Sequence, residues 1–309
     1  MQFIASPAPH VHHKDRTSTL MLDVLTALMP AVVAGIWLFG WNALRVVVLS
    51  VVFCVGLEFA WQKMVGKPVR VNDLSAVVTG VIFALNLPST APWWMILVGA
   101  AVAILLVKQM FGGIGCNFMN PALAARAVLL ASWPTLMTAT NTASAYPLPF
   151  DTVTSATVLV PGNTLNVSMI DLMVGRIPGT IGEVCKVAIL IGLVYMLVRK
   201  TITWHIPITM IVSFMVFEAA FGLDPITGVL SGGILFGAVF MATDYVTSPM
   251  TPVGQIIYAV GAGLIVALIR AFGGYPEGVT YAILLMNIVT PLIDRAIRPR
   301  VFGEVKGNA

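Results

Sequence analysis

Residues 151–157 read DTVTSAT, four hydroxyls and one carboxylate in seven positions of a chain that is otherwise strongly apolar. A threonine hydroxyl is a weak nucleophile unless a base activates it, and no His or Lys stands beside Thr157. The run therefore does not read as a hydrolytic centre. It suits a passive role instead: small neighbours such as Ala156 let another enzyme reach a hydroxyl and attach a group to it. By composition alone the run reads as a plain polar surface loop.

A second chemistry resides in carboxylates within or beside apolar stretches: Asp23, Glu58, Glu183, Glu218, Asp244 and Asp294. An ionisable group in hydrocarbon costs about 2.5–3.5 kcal/mol or more, so it persists where it has a role or a partner. Oxygen ligands suit Na⁺ or a proton relay. The alternative is that the acids end spans in water or pair with Lys186 or Arg126 to hold helices in register. Asn120-Pro121 has the chemistry of a helix start, side-chain cap followed by a proline at the first helical position. A buried helix start could also receive an anion or a flavin carbonyl. The run SGGILFGAVFMATDY (231–245) pairs close-packing glycines with a polar end.

Other residues exclude chemistries. Cys54, Cys116 and Cys185 form no C-x-x-C pair, so neither a zinc nor an iron–sulfur site is legible, and no residue is assigned a catalytic or metal-ligating role. His10, His12 and His13 are expected to be a solvated tail. The 17 basic residues are dispersed between apolar runs, without the basic, aromatic-interleaved patch that nucleic acid requires.

The elements that must position these groups follow from hydropathy. With 58% apolar and 10% charged residues in 309, the chain is expected to be an all-α polytopic membrane protein. Ten apolar runs fall near 20–40, 43–62, 74–90, 92–111, 119–133, 179–198, 203–221, 227–247, 253–272 and 278–294. The first is read as a retained helix, because no cleavage site follows it. Lys and Arg concentrate on one side, which predicts both termini in the cytoplasm and DTVTSAT on the outer face. The expected organisation is a membrane repeat over 1–133, an outer loop over 134–178, and a second repeat with a cytoplasmic tail over 179–309. The halves correspond at an offset near 160: Asp23 with Glu183, Glu58 with Glu218, and VGAAVAILLVKQMFGG (98–113) with VGAGLIVALIRAFGG (260–274). Five spans per repeat predicts that the second is inverted.

The run Asp151-x-x-Thr154-Ser155-Ala156-Thr157 resembles the D-x-x-[S/T]-[G/S]-A-T motif at which bacterial flavin transferases attach FMN through a phosphoester. The chain around it runs from SPAPHVHHKDRTST through GGIGCNFMNPALAARA and SGGILFGAVFMATDYVTSPMTPVGQ to EGVTYAILLMN. It resembles the NqrB/RnfD family, which joins the D subunit of the Rnf ion-translocating oxidoreductase to the B subunit of the Na⁺-pumping NADH:quinone reductase. Ser155 stands where many relatives have glycine, and the amino-terminal extension of the quinone-reductase subunit is missing. The resemblance implies a urea/ammonium-transporter-like fold and FMN on Thr157, with riboflavin as an optional second flavin. It implies electron transfer of the ferredoxin/NAD type coupled to Na⁺ or H⁺ movement across the bacterial inner membrane. Partners would be the A, B, C, E and G subunits of the Rnf complex, the flavin transferase and membrane lipid. Glu58, Glu218, Asp23 and Glu183 are the ion-path candidates. The rival readings are a redox-inactive channel of the urea/ammonium type and the quinone-reductase subunit itself.

Overall fold

A computed structural model of the chain describes residues 17–138, 169–175, 179–273 and 278–297. The flavin motif Asp151–Thr157 and the histidine tail lie outside the described residues. Among the described residues the structure is helical and without strands.

The helices are α1 (Thr17–Phe39), α2 (Trp41–Met64), α3 (Ser75–Leu85), α4 (Trp93–Ala101), α5 (Pro121–Ser132), α6 (Pro134–Thr138), α7 (Met169–Val174), α8 (Lys186–Val198), α9 (His205–Ala220), α10 (Pro225–Ser231), α11 (Ile234–Phe236), α12 (Pro252–Phe272) and α13 (Val279–Ala296). Two of them continue into π-helical turns, Val102–Gln109 after α4 and Gly237–Met241 after α11.

Helix falls in each of the ten apolar runs, but α1, α2, α12 and α13 are the described helices long and apolar enough to cross a membrane. The differences have local causes. Helix α3 stops at Leu85, and at about 1.5 Å per residue its 11 residues cover only about half of the hydrocarbon. The run beginning at 179 stays non-helical until Lys186. The run over 227–247 breaks at Gly232-Gly233, between α10 and α11.

A truncated helix leaves carbonyls that hydrocarbon cannot satisfy, so another part of the chain must supply donors. The segment 179–186 does this for two helices at once. Gly182 N–H donates to Leu85 O at 2.8 Å and Ile181 N–H to Leu87 O at 3.2 Å, closing the end of α3. Lys186, fully buried, points its ammonium at Gly232 O (2.9 Å) and at Glu183 O, taking up the carbonyl freed at the second break. Position 182 must be glycine, since a Cβ there would lie 2.6 Å from the Leu85 side chain and 3.0 Å from its carbonyl oxygen.

The halves interlock. Helix α1 packs along α8, α2 along α3 and α9 along α12, while α5 meets α13. Two glycines draw α1 close to the following half: Gly192 of α8 faces the Ala27 carbonyl of α1, and Gly35 of α1 faces the Ile181 carbonyl in the segment before α8. Small residues at such crossings maximise van der Waals contact where lipid supplies no hydrophobic drive.

Candidate functional site

The amino-terminal parts of α1 and α5, most of α3, the π stretch after α4 and the end of α8 border a cavity of about 110 Å³, room for several waters. Its wall is mostly apolar, with Val24, Ile82 and Phe240, while Asn117, Thr243 and Asp244 supply polar atoms. We call this the basic end, because Lys67, Arg70 and Lys108 border this cavity or its neighbour. Asn120 caps α5 as its sequence implies, accepting from Ala122 N–H (3.0 Å) and Leu123 N–H (3.3 Å). Its amide then donates to Met241 O at 3.1 Å, a carbonyl at the end of the π turn. Local cap and long-range anchor thus share one side chain.

Asp244 borders this cavity, and four of the other five acids are charge-paired outside its wall. Glu58 is 1% exposed; its Oε2 lies 2.8 Å from Lys108 Nζ, and its Oε1 accepts from Gln109 (2.8 Å) and Gln62 (3.2 Å). Lys108 also donates to Ser75 Oγ at 2.6 Å, and Ser75 donates onward to Asp73 at 2.7 Å. At the corresponding place in the second half, Glu218 is 2% exposed and pairs with Arg270 at 3.4 Å. Arg270 donates to Gly228 O at 2.7 Å and lies over the Phe214 ring, 4.7 Å from its centroid. Glu183 pairs with Arg126 at 2.8 Å, and the same guanidinium nitrogen donates to Asn86 Oδ1 at 2.7 Å. Asp23 meets Arg199 at 3.2 Å and accepts from Tyr195 OH at 3.3 Å, strapping α1 to α8 at the basic end.

The two remaining acids differ. Asp244 accepts from Thr247 Oγ1 (3.1 Å) and Asn117 Nδ2 (3.5 Å), and Asp294 accepts from Met250 N–H (3.1 Å). The acids are therefore not one cluster: they occupy separate contacts, each with its own partner. The sequence reading names Arg126 as a possible partner and passes over Lys108, Arg199 and Arg270, although Lys108 and Arg270 stand three and two residues before the phenylalanine of the F-G-G shared by the halves. Among the described residues no group of three His, Cys, Asp or Glu could hold a metal ion.

These features can be set beside known proteins. A profile of the NQR2, RnfD, RnfE family matches residues 4–303. The D subunit of the Na⁺-translocating ferredoxin:NAD⁺ oxidoreductase complex of Acetobacterium woodii is 48% identical, over 99% of this chain and 97% of its own length. The D subunit of the proton-translocating ferredoxin:NAD⁺ oxidoreductase complex of Clostridium ljungdahlii is 40% identical, over 97% of this chain and 96% of its own. The D subunit of the ion-translocating oxidoreductase complex of Halorhodospira halophila is 36% identical, again over 97% of this chain and 96% of its own. Matched over nearly its whole length, the chain belongs to the NQR2, RnfD, RnfE family.

Proposed function

We propose that the chain is a membrane subunit of an electron-transfer complex of the ferredoxin:NAD⁺ type, active as part of that complex and coupled to Na⁺ or H⁺ translocation. The observation that carries this reading is end-to-end similarity to the D subunits of Na⁺- and proton-translocating complexes. The A, B, C, E and G subunits and a flavin transferase would be its partners. It would sit multi-pass in the bacterial inner membrane, both termini in the cytoplasm and residues 134–178 outside.

We read the fold as ten membrane segments in two inverted five-segment repeats, 1–133 and 179–309, like urea and ammonium transporters. Supporting this, the Glu58–Lys108 and Glu218–Arg270 pairs join equivalent helices at offsets of 160 and 162 residues. FMN on Thr157 would supply one- and two-electron transfer. The support for that position is the Asp151–Thr157 motif and its place between the halves. A second flavin such as riboflavin rests on the resemblance alone, since the basic-end cavity of about 110 Å³ is room for waters and not for a flavin ring.

Glu58, Glu218, Asp23 and Glu183 are the acids proposed for the ion path. Each already holds a cationic side chain, so an arriving ion must displace or repel that partner. Coupling then requires flavin reduction to shift the equilibrium between paired and open states. The test of the flavin site is Thr157→Ala: the protein loses its in-gel flavin fluorescence. Covalent flavin retained by that variant refutes the assignment, and a purified complex in which this chain never carries flavin favours the plain transporter reading.

A further inference from the structure

The buried acids differ in how completely their oxygens are satisfied. Glu58 has a donor on each oxygen, Lys108 on Oε2 and both Gln62 and Gln109 on Oε1. Asp23 likewise accepts from Tyr195 on Oδ1 and from Arg199 on Oδ2. Glu218 does not: Arg270 reaches its Oε1 at 3.4 Å, while its buried Oε2 accepts no hydrogen bond. Among the described residues it is the one buried carboxylate oxygen in that condition. A buried acceptor without a donor is costly, and more so when it shares a negative charge.

What lies against Oε2 decides what it can take. Gly228 of α10 backs onto the carboxylate so closely that a Cβ there would overlap it. A metal cation exchanges its water shell for several oxygens, and this packing leaves no room for one. A proton needs one lone pair and no added volume. The charged groups that face Glu218 among the described residues are Arg270 from α12 and Asp224 from the start of α10. The π turn Gly237–Met241 and α11, which also pack on α9, carry no charged residue. Arg270 has further holds of its own, the Gly228 carbonyl at 2.7 Å and the face of the Phe214 ring. Neutralising Glu218 therefore leaves the guanidinium anchored.

We propose that Glu218 is a proton-exchanging carboxyl of this chain, with Oε2 as the accepting atom. The proposal rests on the reading of Glu218 as an ion-path acid and names the ion that it handles. Helix α9 ends two residues on, at Ala220, and the exposed Leu223 and Asp224 follow, so water is close by. The O–H bond forms on Oε2 with a proton given up by hydronium, which leaves as water; the carboxylate becomes neutral and no electron moves. The attraction across the 3.4 Å contact falls with the charge, so the junction of α9 with α12 responds to the proton. Release reverses each step.

Infrared difference spectra of the complete complex in membranes, recorded at stepped pH in H₂O and in D₂O, read the carboxylic C=O stretch directly. The expected band grows on acidification, shifts in D₂O, disappears in Glu218→Gln and persists in Glu58→Gln. Exchanging NaCl for KCl at equal ionic strength leaves it unchanged. A band retained in full by Glu218→Gln overturns the proposal, as does one lost in Glu58→Gln alone or one that Na⁺ abolishes. If Glu218→Gln does not assemble, Glu218→Asp takes its place: one methylene shorter, it draws the carboxyl away from Gly228, so the band must shift. An unmoved band then overturns the proposal. Donor-driven ion transport is measured on the same complex reconstituted into liposomes. Transport without the band refutes the proton site and leaves the translocation reading standing. The band without transport supports the site and refutes the translocation reading.

Discussion

Replacing Lys108 with Met removes one partner of the best-connected buried pair and leaves the other in place. The charges are 2.8 Å apart, and at an effective dielectric of about 20 they attract by about 6 kcal/mol. Both groups lost hydration on burial, at 4% and 1% exposure, so the net value of the contact is smaller. What the variant suffers is the stranded Glu58 carboxylate, for which removal of one partner costs about 3–5 kcal/mol. Gln62 and Gln109 still donate to Oε1 and soften the loss, which puts the expectation near about 3 kcal/mol. At about 2–4 °C per kcal/mol, the detergent-solubilised complex should lose this chain at a midpoint roughly 6–12 °C lower. Heating followed by fluorescence-detected size exclusion reads that midpoint. The double variant Lys108→Met/Glu58→Met leaves no orphan charge and should recover at least half of the loss. If the double variant is no more stable than Lys108→Met alone, the penalty does not come from an uncompensated carboxylate and the reasoning fails.

Three further outcomes follow from the same geometry. Gly233→Ala places a Cβ 2.5 Å from Glu183 Oε1, so the carboxylate must leave Arg126, and stability should fall by about 1–3 kcal/mol. Gly56→Ala, with nothing within 4 Å of the new methyl, is the control and should be neutral or slightly stabilising; equal losses in the two variants would show that helix propensity, not the carboxylate, is being measured. Asp224 caps α10 through the N–H groups of Ile226 and Thr227, and the Thr227 hydroxyl bonded to it holds its carboxyl below the usual 3.8. Because the folded form is the stronger acid, the cap is at full strength above about pH 4 and fades as pH falls through the lowered value. Asp224→Ala should therefore cost about 1 kcal/mol at neutral pH and progressively less below about pH 4, in thermal unfolding read across that range; a difference that grows on acidification contradicts the cap.

Much of the architecture is written in local patterns. The Asn120-Pro121 cap needs only its own two successors, and it forms where the sequence puts it. The matched acids Glu58 and Glu218 are recognisable because an ionisable residue is conspicuous in an apolar run, and their partners stand in a run the halves share. What the pattern hides is the helix breaks. Hydropathy continues through Leu85 to Leu87 and across Gly232-Gly233, because the residues after a break are as apolar as those before it. The breaks are tolerated by donors about 50–100 positions away, Gly182 for α3 and Lys186 for α10, and no window of sequence contains both ends. For the same reason Lys186 is only an oddity in an apolar run until the carbonyls it serves are in place. The hydroxyl run at 151–157 remains a matter of motif, since it lies outside the described residues.

The π-helical stretch at Val102–Gln109 bears on how this helix tolerates insertion and deletion. Successive residues of an α-helix point about 100° apart, and the wider π winding brings neighbours closer in direction. That is how two adjacent side chains, Lys108 and Gln109, both reach the carboxylate of Glu58. The stretch holds, in effect, one residue in reserve. Deleting a single lipid-facing position such as Leu106 would let the winding tighten to ordinary α-helix without shortening the span by more than a fraction of a turn, yet it would rotate the lysine off its partner. Length variation at this point is therefore a change of charge pairing rather than of membrane thickness.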